Sequence, residues 1–345
     1  MEHTFEDIIS LENLCLAWEE FIPDKKKQPE VADFRRNLMD NIISLHEDLA
    51  NKTYKHGKYK ERHIWDPKHR LIHIAPVRDR LLHHAIYRVL YPFFDRTFIG
   101  DSYSCRIGKG VHRAINRFRS IAYKVSRNHT RTCWVLKCDI RKFFASVDQA
   151  TLLKLLASYI PDQNALWLLG QVVKSFSSEN NCTIYLRSEI DGTKGIHPVA
   201  GLPLGNLTSQ LFSNIYMNEF DRFVKHRLKT KHYIRYADDF VFLHEDKAWL
   251  EAQIPMVGQF LKERLHLQLH PNKVTISTFA SGVDFLGWVH FVDHRVLRCA
   301  TKRRMMRRLR ECEKEETVLS YLGLLGHGNT LKTREEVLHS YWIST

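Results

Sequence analysis

Several features that would place a protein in a familiar class are missing from this sequence of 345 residues. Its seven cysteines form no CxxC pair and none of the spacings typical of zinc ligands, so we expect reduced thiols rather than a zinc site. No stretch reaches about 18 uninterrupted apolar residues, and the N-terminus lacks a basic segment followed by an apolar one. We therefore expect a cytoplasmic protein that is neither exported nor membrane-spanning.

Acidic residues are too few to balance the basic ones. Lysine and arginine total 52 against 39 aspartates and glutamates, which leaves a net charge of +13. Such an excess favours a polyanionic partner, and nucleic acid is the first candidate.

The sequence also lacks internal repeats and low-complexity linkers. Its length therefore predicts two or three interleaved subdomains.

The spacing of apolar residues predicts where several elements lie. Leu38, Ile42, Leu45 and Leu49 follow one another at helical spacing, before the basic run KHGKYKER. A later helix is predicted to end near Pro92. Thr132 to Ile140 reads as a strand, with a helix beginning near Asp148, and a glycine loop at 201–205 leads into a long helix. KVTIS and GVDFLGWVHF are predicted to form a strand pair.

The segment HYIRYADDFVFLHED, residues 232–246, predicts a hairpin with Asp238 and Asp239 at its tip. Aspartate is common in turns, so this pair alone is weak evidence for a functional site. Asp139, however, ends a separate strand. If the two strands are neighbours in one sheet, Asp139 and Asp238 converge and can hold two hard divalent cations, as phosphoryl transfer requires.

Seven segments, in this order, resemble motifs of the reverse transcriptase family: RLIHIAPVRDRLLHHAI, SYSCRIGKG, KCDIRKFFASVD, GLPLGNLTSQLFSN, YADD, NKVTIS and FLGW. They are spread over most of the chain, from Arg70 to Trp288. The resemblance implies an α+β fold of the right-hand polymerase type, with fingers, a palm whose antiparallel sheet carries the catalytic aspartates, and a short helical thumb. The corresponding segments are an N-terminal helical segment (1–60), fingers (61–130), a palm (131–290) with a finger insertion around 161–200, and a short basic thumb (291–345).

The resemblance also assigns the catalytic groups. It implies that Asp139, Asp238 and Asp239 are the catalytic carboxylates and that Lys273 protonates the leaving pyrophosphate. The three aspartates, with the carbonyl of Ile140, are the implied ligands of two Mg²⁺ ions, for which Mn²⁺ can substitute. Oxygen ligands suit these ions because both are hard cations.

Several further residues resemble those that bind the incoming nucleotide. Phe144 matches the aromatic residue whose ring would clash with a 2′-hydroxyl, whereas Phe143 is better explained as a core residue. Arg70 matches the residue that grips the triphosphate, and Gly205 allows the backbone to approach the nucleotide. The full set of implied nucleotide-binding residues is Arg70, Ile140, Phe144, Leu204, Gly205 and Gln210.

Two features near the C-terminus point to nucleic acid. FLGW resembles the hairpin that grips the primer, although an apolar run could equally be sheet core; its residues are Phe285, Leu286, Gly287 and Trp288. The second feature is a set of arginines on more than one face of a helix, which favours contacts with phosphates over a membrane surface. These are Arg303, Arg304, Arg307, Arg308 and Arg310.

One motif suggests a subgroup of the family. Many members have QGxxxSP in the glycine loop, whereas this chain has LGNLTSQ, with Leu204 and Gln210. This resembles the enzymes of diversity-generating retroelements and stand-alone bacterial enzymes of antiviral defence. Because leucine cannot make the polar contact of glutamine, we predict relaxed fidelity. The short segment after Trp288 leads us to expect no nuclease, integrase, RNase H or maturase domain.

The sequence therefore predicts an RNA-directed DNA polymerase, a nucleotidyltransferase that makes cDNA from a primer and a dedicated non-coding template RNA. Antiviral defence and a diversity-generating retroelement are both open as its setting, as are an accessory protein and oligomerisation. One alternative is an RNA-dependent RNA polymerase, against which Phe144 argues. The other is a catalytically silent nucleic-acid-binding scaffold, which would not need three acids in a phosphate-binding cleft.

Overall fold

The computed structural model describes residues 4–65, 69–177, 200–312 and 314–344. Helices and antiparallel strands are interspersed through these ranges, which confirms the predicted α+β class. Most of the predicted finger insertion, from residue 178 to 199, lies outside the described residues. The described helices include none that is long and apolar enough to span a membrane.

The helices, in chain order, are α1 (Phe5–Ile9), α2 (Leu11–Phe21), α3 (Pro29–Arg36), α4 (Leu38–Ala50), α5 (Val77–Thr97), α6 (Val111–Val125), α7 (Phe143–Ser146), α8 (Gln149–Tyr159), α9 (Gln163–Lys174), α10 (Leu207–Arg222), α11 (Lys247–Leu265), α12 (Cys299–Glu311), α13 (Glu315–Leu325) and α14 (Leu331–Ser344). The strands are β1 (Lys60–Ile64), β2 (Arg70–Ile74), β3 (Trp134–Cys138), β4 (Tyr233–Tyr236), β5 (Asp239–His244), β6 (Thr275–Thr278), β7 (Val283–Phe285), β8 (Trp288–His290) and β9 (Arg295–Leu297).

The strands form three antiparallel sheets, with orders β1-β2, β4-β5-β3-β6 and β7-β8-β9. The chain divides into two compact units, each of which is discontinuous in sequence. The first comprises Met1–Gly100, Ile140–Arg227 and Gly258–Leu269, and the second comprises Asp101–Asp139, Leu228–Val257 and His270–Thr345. The predicted boundaries of fingers, palm and thumb stay a prediction.

The first unit is built around α5, which packs against α2 and α10. Leu81, Leu82 and Ile86 on α5 are fully buried, and burial of each such side chain contributes about 1.5–3 kcal/mol. The helix does not end near Pro92, as the sequence predicted, but continues to Thr97. The buried Phe94 lies beyond the proline, and its packing offsets the backbone hydrogen bond that Pro92 cannot donate.

The second unit contains the four-stranded sheet, with α6 packed against β4 and β5. Phe118 of α6 is fully buried, and its ring lies 5.1 Å from that of Phe285 and 5.6 Å from that of Phe279. Such aromatic contacts contribute beyond the area that they bury. The helix thus anchors both the four-stranded sheet and the hairpin that contains FLGW.

The predicted pairing of KVTIS with GVDFLGWVHF is wrong. β6, from the first segment, pairs with β3 in the four-stranded sheet, whereas the second segment folds on itself as the β7–β8 hairpin. Leu286 and Gly287 form its turn with φ values of 50° and 86°. A two-residue turn with positive φ at both positions suits a tight hairpin, because its twist matches that of the strands.

The three C-terminal helices surround one side of this hairpin. Trp288 is 1% exposed and lies in an apolar cluster with Met305 of α12, Val318 of α13 and Val337 of α14. A Cβ atom on Gly328 would lie 2.2 Å from the Trp288 ring and 2.9 Å from the carbonyl oxygen of Arg295. Only glycine therefore fits at this position, because the GHGN turn (residues 326–329) packs directly against the Trp288 ring.

Candidate active site

Three aspartates meet at one end of the four-stranded sheet in the second unit. β3 and β5 are adjacent and antiparallel, with Cys138 opposite Phe240. Continuing this register by one residue places Asp139, directly after β3, opposite Asp239, the first residue of β5. Asp238 precedes it in the turn, since Tyr236 pairs with Asp239. This confirms the predicted hairpin and the predicted proximity of its strand to Asp139.

The three carboxylates repel one another. Burial, followed by the negative charges of Asp239 and Asp139, raises the pKa of Asp238 to about 6. The pKa of Asp239 is also raised, first by burial and then by Asp139, while Lys137 lowers it. Each shift means that the ionised form is disfavoured where it lies. The turn therefore concentrates negative charge that a cation could neutralise.

Basic side chains surround this group. Lys273 Nζ donates a hydrogen bond to Asp139 Oδ2 at 2.8 Å, so the predicted proton donor contacts a predicted metal ligand. Lys137 Nζ donates to the carbonyl oxygen of Asp284 at 2.8 Å, and Arg298 forms an ion pair with the carboxylate of Asp284. These cations are held close to the carboxylates without neutralising all of them.

The donor set fits a divalent ion. Across the described residues, no three His, Cys, Asp or Glu side chains converge closely enough to hold one metal ion as they stand. Asp139 is instead bonded to Lys273. The three carboxylates nevertheless supply the hard oxygen ligands that Mg²⁺ prefers. Two of them have raised pKa values, and a bound cation would relieve the repulsion between them. Such an ion would compete with Lys273 for Asp139.

A second group of predicted residues lies in the first unit, where a loop is bonded to β2. The Leu204 carbonyl accepts a hydrogen bond from the His73 amide at 2.9 Å, and Asn206 Nδ2 donates to the His73 carbonyl at 2.9 Å. Gly205, between them, has a φ of +109°, and a Cβ atom there would lie 2.7 Å from Ile72 Cγ2. The glycine thus permits both the turn and its close approach to β2.

The family follows from a comparison with known protein families. Residues 55–290 match the family described as reverse transcriptase (RNA-dependent DNA polymerase), and this match includes both groups of residues. The chain belongs to the reverse transcriptase family. This confirms the predicted family, the α+β polymerase fold and the enzyme class, an RNA-directed DNA polymerase. Reverse transcriptase domains generally use divalent metal ions.

Individual relatives are distant. Protein YkfC of Escherichia coli K12 is 26% identical, covering 78% of this chain and 76% of YkfC. Group II intron-encoded protein LtrA of Lactococcus lactis subsp. cremoris is 23% identical over 77% of this chain and 51% of LtrA, so this chain spans about half of that relative. Among solved structures, truncated apo telomerase from Candida tropicalis has a TM-score of 0.45 and 12% identity, covering 75% of this chain and 60% of that one.

The residues that the sequence predicts to bind the nucleotide lie in the first unit of this reverse transcriptase. Phe144 is half-buried on α7, whereas Phe143 beside it is 3% exposed, which confirms that Phe143 is the core residue of the two. Arg70 is exposed at the start of β2 and pairs with Ile64. Gln210 is half-buried in the first turn of α10. Ile140 is buried and bridges to Leu269, and its role as a metal ligand stays a prediction.

The FLGW hairpin of the reverse transcriptase is partly core. Phe285 and Trp288 are 0% and 1% exposed, so their side chains pack inward and support the hairpin. Leu286 and Gly287, in the turn, are the members of the motif that remain available for contact. The primer-gripping role of this hairpin stays a prediction, and the inward packing of Phe285 and Trp288 is what the alternative, a sheet core, predicts.

The basic helix predicted at the C-terminal end is α12. Its apolar side is formed by the buried Met305, against which Leu309 lies in the same cluster. Arg304 is half-buried, and the remaining arginines of the predicted set are exposed: Arg303, Arg307, Arg308 and Arg310. The exposed face is thus dense in positive charge, as contact with phosphates requires.

Sequence reasoning missed Arg235, which lies three residues before Asp238. Its side chain is fully buried, although arginine is almost never buried, and its Nη1 donates to the Ala237 carbonyl at 3.3 Å. Ala237 has a φ of 55°, a left-handed conformation that alanine rarely adopts. Arg235 therefore helps to hold the strained turn that presents Asp238. An arginine in an otherwise apolar strand was the available signal.

We expect Arg235→Lys to lower the rate of single-turnover nucleotide addition by about 10- to 100-fold, because a displaced turn misplaces Asp238. The Mg²⁺ concentration for half-maximal rate should rise, which a general loss of stability would not cause at temperatures well below melting. Arg131→Gln, at an exposed arginine of the same unit, is the control. An unchanged Mg²⁺ dependence with Arg235→Lys would contradict this positioning role.

We expect Gly205→Ala to destabilise the first unit and weaken nucleotide use. The new Cβ would meet Ile72, and the φ of +109° would be strained. Gly170→Ala is a matched control, because nothing lies within 4 Å of its Cβ position and it occupies the interior of α9. Thermal denaturation should show destabilisation for Gly205→Ala and stabilisation of about 0.5–1 kcal/mol for Gly170→Ala. A Gly205→Ala variant that is as stable as the wild type would contradict this explanation of the loop.

Proposed function

We propose that this reverse transcriptase makes cDNA from a dedicated non-coding RNA, using two Mg²⁺ ions held by Asp139, Asp238 and Asp239. The observation that carries the proposal is the grouping of these carboxylates at the end of β3 and at the β4–β5 turn. Their mutual effect on pKa supports a site for cations. A purely structural turn would have no use for such repulsion.

When bound, two such ions lower the pKa of the attacking 3′-hydroxyl and neutralise the leaving pyrophosphate. The side chains of the chain itself set the rest of the chemistry. The β3–β5 register fixes where Asp139 and Asp239 lie, and Arg235 supports the turn that carries Asp238. Lys273 holds a proton at Nζ, 2.8 Å from Asp139, and we propose that it transfers this proton to the pyrophosphate.

Selection of deoxynucleotides is assigned to Phe144. The ring is half-buried and lies 5.4 Å from the ring of Phe143, at an interplanar angle of 68°. The Phe144 carbonyl also accepts a hydrogen bond from the Leu202 amide at 2.7 Å. A ring supported in this way can exclude a 2′-hydroxyl by its bulk, which favours DNA synthesis over RNA synthesis.

For the biological setting, we propose antiviral defence or a diversity-generating retroelement. LGNLTSQ, with Leu204 and Gln210, supports both settings and distinguishes neither. The basic exposed face of α12 supports a polyanionic partner such as a structured RNA. The alternatives, an RNA-dependent RNA polymerase and a silent scaffold, predict different products from the same assay.

The protein purified with its bound RNA provides the test. We would sequence that RNA, add Mg²⁺ with dNTPs or rNTPs, and sequence the product. DNA complementary to one predominant RNA would support the proposal. An RNA product would favour the polymerase alternative, and no product would favour the scaffold. The sequence of the same DNA product gives the error rate. If Leu204→Gln had the same error rate as the wild type, the prediction of relaxed fidelity would be contradicted.

A further inference from the structure

Gln149 is a polar side chain in the interior of the first unit. It is the first residue of α8 and is 3% exposed, although glutamine is mostly exposed in proteins. Its Nε2 donates to the carbonyl oxygen of Phe176 at 2.6 Å and to that of Gly201 at 3.0 Å. Among the described residues its Oε1 has no hydrogen-bond partner. Burial of this amide is therefore costly, and the two donated bonds are what it provides.

The two carbonyl groups that Gln149 binds belong to segments that support the glycine loop. Gly201 is the first residue of that loop, and its amide also donates to the Val147 carbonyl at 2.8 Å. The ring of Phe176 lies 4.6 Å from that of His73 in β2, whose amide donates to the same loop. Gln149 therefore holds the start of the loop and the residue that packs against the strand to which the loop is bonded.

The next residue of the loop is bonded to the helix that carries the sugar-selecting ring. The Leu202 amide donates to the Phe144 carbonyl at 2.7 Å, and Leu202 is itself 3% exposed. Phe144 lies on α7, which has only four residues and no side-chain hydrogen bond at its N-cap. Because a helix of this length is not stable by itself, its position depends on contacts from outside. The bond from Leu202 is such a contact.

We propose that Gln149 is a positioning residue for the choice of sugar. It fixes Gly201 and the adjoining Leu202, and the Leu202 amide then sets where the Phe144 ring lies. Gln149 does not touch the nucleotide in this role. A residue that only stabilises the fold would change the melting temperature alone, whereas a positioning residue also changes the selection of dNTP over rNTP. The inference rests on the assignment of sugar selection to Phe144 in the proposed function.

Gln149→Met tests the proposal, because methionine has a similar length and volume but cannot donate a hydrogen bond. The ratio of kcat/KM for dTTP and UTP on an oligo(A) template is measured. We expect Gln149→Met to lower this ratio by about 3- to 10-fold, because a displaced ring excludes a 2′-hydroxyl less well than a correctly placed one. Gln149→His can still donate one hydrogen bond, so its ratio should lie between those of the methionine variant and the wild type.

Gln253→Met is the matched control. Gln253 is also 3% exposed, lies in the second unit and donates one hydrogen bond, to the Trp249 carbonyl at 3.0 Å. This substitution should lower the melting temperature and leave the ratio unchanged. A wild-type ratio in Gln149→Met would overturn the proposal, because Gln149 would then support only the fold. If Gln149→Met did not fold, a wild-type ratio in Gln149→His would overturn it.

A double-mutant cycle determines whether Gln149 acts through Phe144. In the Phe144→Ala background, Gln149→Met should not lower the ratio further, because the ring that it positions is absent. Equal effects of Gln149→Met in the two backgrounds would contradict the proposal. An unchanged ratio in Phe144→Ala would refute the proposed role of Phe144, on which the inference rests. A lower ratio in Phe144→Ala but not in Gln149→Met would refute this inference alone.

Discussion

We expect Asp238→Asn to lower the rate of nucleotide addition by about a thousandfold or more, which corresponds to a loss of about 4 kcal/mol of transition-state stabilisation. The same substitution should stabilise the metal-free protein. The loss of rate follows because an amide cannot supply the negative charge that holds a divalent ion. Single-turnover addition of one labelled dNMP to a primer on an RNA template measures the rate. Affinity for the primer–template duplex should stay within about twofold.

The gain in stability follows from the raised pKa of Asp238, about 6. A carboxyl whose pKa is higher in the folded state stabilises the fold while protonated, and this contribution is lost as the pH rises through that pKa. At neutral pH the ionised Asp238 therefore opposes folding. Its replacement by asparagine should raise the melting temperature in EDTA by a few degrees, the effect of about 1 kcal/mol.

Asp293→Asn is the control for both measurements, because its side chain is 84% exposed in the same unit. It should change neither the rate nor the melting temperature. If Asp238→Asn retained more than about a tenth of the wild-type rate of nucleotide addition, Asp238 would not be a catalytic carboxylate. A lower melting temperature in EDTA would contradict the repulsion among Asp139, Asp238 and Asp239.

Phe144→Ala is expected to produce the second large effect, on the choice of sugar. Without the ring, nothing at this position excludes a 2′-hydroxyl, so discrimination between dNTP and rNTP should fall by about 10- to 100-fold. The ratio of kcat/KM for dTTP and UTP on an oligo(A) template measures it. The change should arise mainly from faster rNMP addition.

Phe143→Leu provides the matched control, because Phe143 is its buried neighbour in the chain. That substitution should lower the stability of the first unit by about 1 kcal/mol and leave the dNTP/rNTP ratio unchanged. If both substitutions changed the dNTP/rNTP ratio equally, the change would reflect a disturbed α7 rather than the loss of the Phe144 ring. An unchanged ratio in Phe144→Ala would remove the main argument against an RNA-dependent RNA polymerase.

Local patterns in the sequence were sufficient to predict the centre of the candidate active site. The apolar runs on both sides of Asp238 and Asp239 specify a hairpin, and the strand before Asp139 has the same character. Both signals are short-range, and the structure places the two strands side by side. The N-cap of α8 at Asp148 was predictable for the same reason, since its carboxylate bonds to the Thr151 amide.

Features that depend on distant contacts were not predictable. Pro92 was expected to end α5, but the buried Phe94 keeps the helix intact. The burial of Trp288 depends on helices that lie later in the chain. The positioning role of Arg235 was not predicted, because it depends on the complete burial of this side chain beside a strained turn. In each case tertiary packing overrides the local pattern.

Lys273 illustrates a further limit. Its position in the NKVTIS motif predicted that it protonates the leaving pyrophosphate. Nothing in that segment indicated that its ammonium group would lie 2.8 Å from an oxygen of Asp139. The two residues are separated by 134 positions in the chain. Their meeting depends on β6 pairing with β3, which the sequence analysis did not predict.

We propose that Asp139, Asp238 and Asp239 form a divalent metal site. Titration of the protein with Mn²⁺, followed by electron paramagnetic resonance in the presence of primer–template and a non-hydrolysable dNTP, detects such a site. We predict two tightly bound ions in the wild type and the loss of at least one in Asp238→Asn, with Asp293→Asn unchanged. Equal Mn²⁺ binding by the wild type and Asp238→Asn would contradict the claim.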